Sequence, residues 1–256
     1  MKRNFFPVLI SSVFFAGAAL AQTDSSSVKN PVKRKVTTGM AVYAEIGVLA
    51  NSTMTDMRKE LKTQSVDPFS SFMSSIVLAH RAESSKWMME HRLILSGSGK
   101  YDEDKVDFKR ANLWGAGIGL TGGPKIVNTP KLNVYIPIGV DLMYYRMLIK
   151  SNPAASLNKL INNPGTYQPV KINTKTINVN AGLGLDYKTG WFTKHYDSFY
   201  LSTRVAYHLP VATSGQWRGD NVQVNDLTSF KPNQLYVSVG IVASMKHRAG
   251  MWGGMR

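Results

Sequence analysis

The chain is 256 residues long, 43% hydrophobic, carries a formal charge of +15 at pH 7 and has no cysteine. The length admits one large domain or two ordinary ones. The missing cysteine excludes a disulfide scaffold, a thiolate zinc site, a cysteine nucleophile and an acylated-cysteine anchor. The hydrophobic content excludes a disordered chain, and the surplus of Lys and Arg makes nucleic acid a partner to weigh against where the charges lie.

Residues 1–21 read as a secretory signal peptide. Lys2 and Arg3 precede an apolar run from Phe5 to Leu20, and Ala19-Leu20-Ala21 supplies the small-x-small cleavage pattern, with Gln22 as the mature start. The run is at the short limit for a spanning helix. Export removes cytoplasmic nucleic acid from the expected partners despite the charge. Residues 22–38 are rich in Ser, Lys and Arg around Pro31, follow no apolar period, and read as a basic periplasmic tether.

From Gly39 onward the chain alternates with period two, the signature of strands with two unlike faces. Residues 40–50 set Met40, Val42, Ala44, Ile46 and Val48 against Ala41, Tyr43, Glu45, Gly47 and Leu49. Residues 72–82 are apolar on both faces and leave their faces unassigned. Residues 87–96 oppose Trp87, Met89, His91, Leu93 and Leu95 to Met88, Glu90, Arg92, Ile94 and Ser96. Residues 112–121 oppose Trp114, Ala116, Ile118 and Leu120 to Gly115, Gly117 and Gly119. Residues 132–146 read as one strand with seven successive apolar residues, Leu132 to Tyr144, on one face. Residues 177–187, 199–209 and 235–245 repeat the arrangement, giving eight strands.

Long joins follow the first, third, fifth and seventh segments, so in a meander they share one end, as in transmembrane barrels with short periplasmic turns. A soluble sandwich carries charge on its wet face; here the less apolar face is Gly, Ala, Ser, Asn and Tyr, and the apolar face is nearly free of charge. Lipid outside and a narrow lumen of small and polar side chains inside require this division. Trp87, Trp114, Tyr144, Tyr145, Tyr187, Trp191, Phe192 and Tyr207 near segment ends suit the two water–lipid boundaries.

Signal peptide, eight amphipathic strands and alternating connections together resemble the small outer-membrane β-barrels of Gram-negative bacteria. The transmembrane domain of outer membrane protein A-like proteins is the nearest comparison in architecture. The resemblance covers residues 39–247 and rests on no diagnostic motif. It implies an eight-stranded antiparallel up-and-down transmembrane β-barrel, followed by a short periplasmic tail at residues 248–256. Such barrels usually close on a strand with a terminal aromatic residue, whereas here the last strand runs into Lys246-His247-Arg248. Ten strands result instead if residues 147–173 hide a hairpin.

On this topology most of the positive excess falls on the tether, the short turns and the tail. Lys33, Arg34, Lys35, Lys188 and Lys194 form a basic rim expected to face anionic phospholipid headgroups. A second constellation, Glu45, Glu90, Arg92, Asp141, Asp186 and Arg204, falls on the inward face, where buried charges need partners and their pairing plugs the lumen. No catalytic, cofactor or metal site emerges. Gly115-x-Gly117-x-Gly119 lacks the strand–loop–helix context of a nucleotide loop, and the five histidines form no HExxH. None has Ser two residues after it, as lipid A deacylase barrels do. Residues 53–64 read as a short helix in the first outer loop, capped by Thr53 or Thr55, with Met54, Met57 and Leu61 along one side.

The expected function is a non-enzymatic envelope protein of the outer membrane, reached through the Sec pathway, with a structural or loop-mediated binding role. Its expected partners are outer-membrane lipids, a periplasmic partner of the tether and an external ligand of the loops, with no nucleic acid and no cofactor. A narrow solute channel, a lipid-modifying enzyme and a soluble β-sandwich or lipocalin-like binder are the alternatives.

Overall fold

In the computed structural model the described residues are 36–49, 51–99, 108–152, 169–192, 196–214, 217–219, 223–224 and 230–245. The expected signal peptide and tail, nearly all of the expected tether, and residues 153–168 of the segment expected to offer a hairpin lie outside them; the flanks of that segment belong to strands ending at Asn152 and beginning at Val170.

The fold is all-β apart from one helix. Eight principal strands follow one another: β1 (Thr37–Val48), β2 (Phe72–Glu83), β3 (Trp87–Ser98), β4 (Phe108–Asn128), β5 (Ile138–Asn152), β6 (Val170–Thr189), β7 (Tyr196–Thr213) and β8 (Gln234–Met245). Each pairs antiparallel with the next, and β8 pairs antiparallel with β1, so the hydrogen-bonded sheet returns on itself as a ring. The ring leaves no principal strand with an unpaired edge.

The register gives the stagger. A circuit from Gly39 passes Arg81, Glu90, Thr121, Gly139, Asn180, His208 and Gln234. Because Leu235 lies opposite Val48, Gln234 comes beside Leu49, and the path meets β1 again ten residues beyond its start. Strands with such a stagger are inclined to the ring axis, by about 35–45° in closed sheets. Inward residues of distant strands therefore meet at levels that sequence spacing does not give.

Burial alternates along every strand. Met40, Val42, Ile46, Leu93, Leu95, Ile118, Val140, Leu183, Leu185, Val237 and Val239 are exposed, while Ala41, Tyr43, Glu45, Arg92, Asp141, Asp186 and Ser238 are buried inside the ring. Strand β2 resolves in the same way: Phe72, Ile76, Leu78 and His80 face out, and Met73, Ser75, Val77, Ala79 and Arg81 face in.

Several sequence boundaries change. The segment 132–146 is two pieces, Leu132–Tyr135 and β5, broken at Ile136-Pro137. Pro137 has no N–H for the ladder, and the break is bridged by Ile136 N–H to Pro124 O (3.1 Å) and Gly182 N–H to Pro137 O (3.0 Å). Strands β4, β6 and β7 run well past the alternating stretches, so Lys125 and Lys188 lie within strands rather than turns. Tyr145 is buried inside the ring against Phe230 (ring centroids 4.7 Å) and is no part of an outer aromatic belt.

The long connections share one end of the ring. The first holds helix α1 (Ser52–Thr63). Its N-cap is Asn51, whose Oδ1 accepts from Met54 N–H (3.1 Å), rather than Thr53 or Thr55. The Asn51 amide also donates to Lys231 O (2.6 Å), tying the first long connection to the last. Met54, Met57 and Leu61 turn into a buried cluster with Leu49, Phe69, Met73, Met147, Trp217 and Phe230. This apolar packing closes the long-connection end of the interior.

Candidate functional site

The six inward charges expected from the sequence are all buried, and the ring brings them together with residues that the sequence did not single out. Arg204 of β7 is the centre. Its Nη2 donates to Glu90 Oε1 (2.5 Å) and to Tyr43 Oη (2.6 Å), and its Nε donates to Tyr135 Oη (2.9 Å). Its guanidinium also lies over the Tyr43 ring, 4.3 Å from the centroid. Tyr43 Oη donates in turn to Glu90 (2.6 Å), so β1, β3 and β7 are joined across the interior.

Arg81 of β2 binds Asp186 of β6, with Glu83 at 3.3 Å and Glu90 at 3.7 Å. Lys125 of β4 closes this end on Glu83 at 3.0 Å. Toward the long connections, Arg92 donates to Glu45 (2.6 Å) and its other terminal nitrogen stands 3.8 Å from Asp141. Asp141 accepts from the Asn180 amide (2.7 Å), with His208 Nε2 at 3.3 Å.

Three arginines and Lys125 thus face five carboxylates, and every one of these groups has an oppositely charged neighbour. Taking such ions out of water costs several kcal/mol each, which pairing in good geometry offsets. Small residues make the room. A Cβ on Gly184 would fall 2.3 Å from Tyr135 Cζ, so only glycine lets that ring cross to Arg204 and Asp186. Beside the network a cavity of about 10 Å³, lined by Glu45, Ser75, Ser96, His208 and Gln234 among others, has the size of one water.

Arg81, Glu83, Lys125, Asn180 and His208 are the members that sequence reasoning missed. Arg81 is hidden because β2 is apolar on both faces, and Lys125 because it lies past the alternating stretch of its strand. Of the expected basic rim, Lys33, Arg34, Lys35 and Lys194 lie outside the described residues. Lys188 is half-buried at the short-turn end of β6, and its backbone N–H bonds Lys131 O (2.7 Å). Among the described residues no three His, Asp or Glu side chains are placed to hold a metal ion.

No family model matches the chain, and no curated protein matches it in sequence. Among solved structures the chain is similar to outer-membrane β-barrel proteins. The attachment invasion locus protein Ail of Yersinia pestis is 10% identical with a TM-score of 0.41, over 82% of this chain and 98% of that one. A major outer membrane protein of Thermus thermophilus is 11% identical with a TM-score of 0.43, over 81% and 99%. Neisserial surface protein A is 9% identical with a TM-score of 0.38, over 82% and 96%.

Proposed function

We propose that this chain is an eight-stranded up-and-down β-barrel of the bacterial outer membrane. In this reading its lumen is closed by ion pairs, and it serves the envelope structurally or by binding through its loops, without catalysis. The observation that carries the reading is the inversion of an ordinary soluble fold: the charges are inside and the aliphatic side chains are outside. Outward Val, Ile and Leu side chains, many about half exposed, run around the strands. A water-soluble monomer rarely shows an apolar patch above a few hundred Å². Lipid is the solvent that such a surface fits, and a strand ring with no open edge is one of the two structures that can span it. No helix among the described residues is long and apolar enough to cross a membrane.

The aromatic residues support the same reading. Trp87 and Tyr187 are exposed near the short-turn end and Trp114 near the long-connection end, about where the two interfaces of a bilayer fall. On this placement residues 1–21 direct export, the chain enters β1 at Thr37 from the short-turn, periplasmic end, and the loops that hold α1 face outward.

Closure favours a structural or binding role over conduction, since the network and the apolar packing above it occupy the interior at successive levels. Fractionation with a gel-mobility test before and after boiling checks the barrel. The protein is expected in outer membranes, with a mobility that changes on heating; recovery from the periplasm or medium without detergent would contradict the reading. In a planar bilayer the wild-type chain is expected to give no discrete conductance, and a steady single-channel current would favour the narrow-channel reading.

A further inference from the structure

We propose that the outward surface around Asn173 is a binding site for the phosphate groups of lipid A, the phosphorylated glycolipid of the leaflet on the loop side. The proposal rests on the barrel reading and adds a ligand to it.

Asn173 faces out from β6. Directly opposite it stand Arg146 of β5 on one side and Arg218, from a short strand in the last long connection, on the other. Lys171 and Lys175 lie two residues away along β6 in either direction, on the same face. Lys150 is outward on β5, four residues beyond Arg146. All five cations are exposed. The two carboxylates that β5 and β6 carry, Asp141 and Asp186, are both buried inside the ring. Among the described residues the carboxylate nearest in register, Asp67, stands beyond Lys150 on the far side of Arg110, 3.8 Å from its Nε.

The position of this patch distinguishes it from scattered surface charge. Trp114, strongly exposed, pairs directly with Arg146, and Tyr144 pairs with Lys175. Below them on the same face come Ile118, Leu142, Ile177 and Val179, an apolar stretch. The cations therefore begin where the aromatic boundary ends, at the level where lipid headgroups carry their phosphates.

Arg146 is already held in place. Its Nε donates to Asn173 Oδ1 (3.0 Å), and its guanidinium lies over the Tyr144 ring, 5.9 Å from the centroid. A braced guanidinium offers its remaining N–H groups to a phosphate in a fixed fork. From Arg146 to Arg218 is two strand spacings, about 10 Å, and from Lys171 to Lys175 about 13 Å. That area takes more than one phosphate, which fits a headgroup bearing two of them better than a zwitterionic phospholipid.

The test uses the full exported chain in nanodiscs, with insertion first verified by the heat-dependent mobility shift. Bisphosphorylated lipid A and chemically dephosphorylated lipid A are titrated as probes, and bound lipid is counted by native mass spectrometry. Two variants are compared with the wild type: Arg146→Gln/Lys171→Gln/Lys175→Gln/Arg218→Gln, and the control Lys86→Gln/Lys131→Gln/Lys188→Gln at the opposite end. The wild type and the control are expected to prefer the phosphorylated form by at least about tenfold, and the patch variant to lose that preference, since each cation near such a surface contributes about fivefold. Equal binding of the two lipids, or equal loss in both variants, would overturn the proposal while leaving the barrel intact. Displacement of lipid A by millimolar inorganic phosphate would make this a site for free phosphate instead. Failure to insert would overturn the barrel reading and this one together.

Discussion

Arg204→Met removes the centre of the interior network. The lost interactions are the 2.5 Å contact with Glu90, the 2.6 Å bond to Tyr43 and the 2.9 Å bond to Tyr135. Glu90 then keeps Tyr43 and Arg81, the latter at 3.7 Å, as its remaining partners in a fully buried place. Breaking a buried ion pair by removing one partner costs about 3–5 kcal/mol, because the other charge stays behind. Arg81 at 3.7 Å cushions the loss, so about 3 kcal/mol is expected. With a urea slope of about 2–3 kcal/mol/M, this lowers the unfolding midpoint by about 1 M. The assay is urea unfolding in lipid vesicles, read by the fraction that keeps the mobility of the unheated protein. The partner variant Glu90→Gln closes a double-mutant cycle, in which removing both charges should cost at least about 1 kcal/mol less than the sum of the single changes. A cost for Arg204→Met below about 0.5 kcal/mol, or strict additivity, would refute the reasoning, because the pair would then not be holding a buried charge.

Other substitutions probe the remaining layers. Gly184→Val should destabilise by about 1–3 kcal/mol in the same unfolding assay, because its Cβ would meet the Tyr135 ring that Arg204 and Asp186 hold in place. Leu93→Lys, at an outward position near the middle of β3, should cost about 2–4 kcal/mol in vesicles; a neutral effect would mean that this face meets water. Asn51→Ala should loosen α1 by about 1 kcal/mol, seen as faster amide exchange over residues 54–58 with the strands unchanged. Ser65 holds φ 58° just past the same helix, so Ser65→Gly should slow exchange in its last turn.

The two faces of most strands were legible because the outward and inward surfaces of the ring carry opposite chemistry at a period of two residues. Glu45, Glu90, Arg92, Asp141, Asp186 and Arg204 are conspicuous as charges on otherwise small or polar faces. Strand β2 escaped because Met73, Val77 and Ala79 make its interior face apolar as well, which concealed Arg81. What local pattern does not encode is who meets whom. Arg204 and Glu90 are 114 residues apart, on strands that are not neighbours, and they meet through a stagger fixed only when β8 closes on β1. The extra length of β4, β6 and β7 was masked by polar residues beyond the apolar band. There the strands continue as backbone ladders, with no hydrophobic alternation to announce them. Trp217 and Phe230 gave no signal at all, since their burial depends on the long connections meeting over α1.

The absence of native cysteine allows the central claim, lipid outside and charge inside, to be measured residue by residue. Single cysteines at positions 88–97 of β3 would each carry a nitroxide label in a reconstituted bilayer, read for collision with oxygen, which concentrates in lipid, and with a water-soluble nickel chelate. Positions 89, 91, 93 and 95 are expected to be open to oxygen and closed to nickel, and positions 88, 90, 92 and 94 closed to both, in strict alternation. Nickel access at 91, 93 and 95 equal to that of a label in a surface loop would contradict the account.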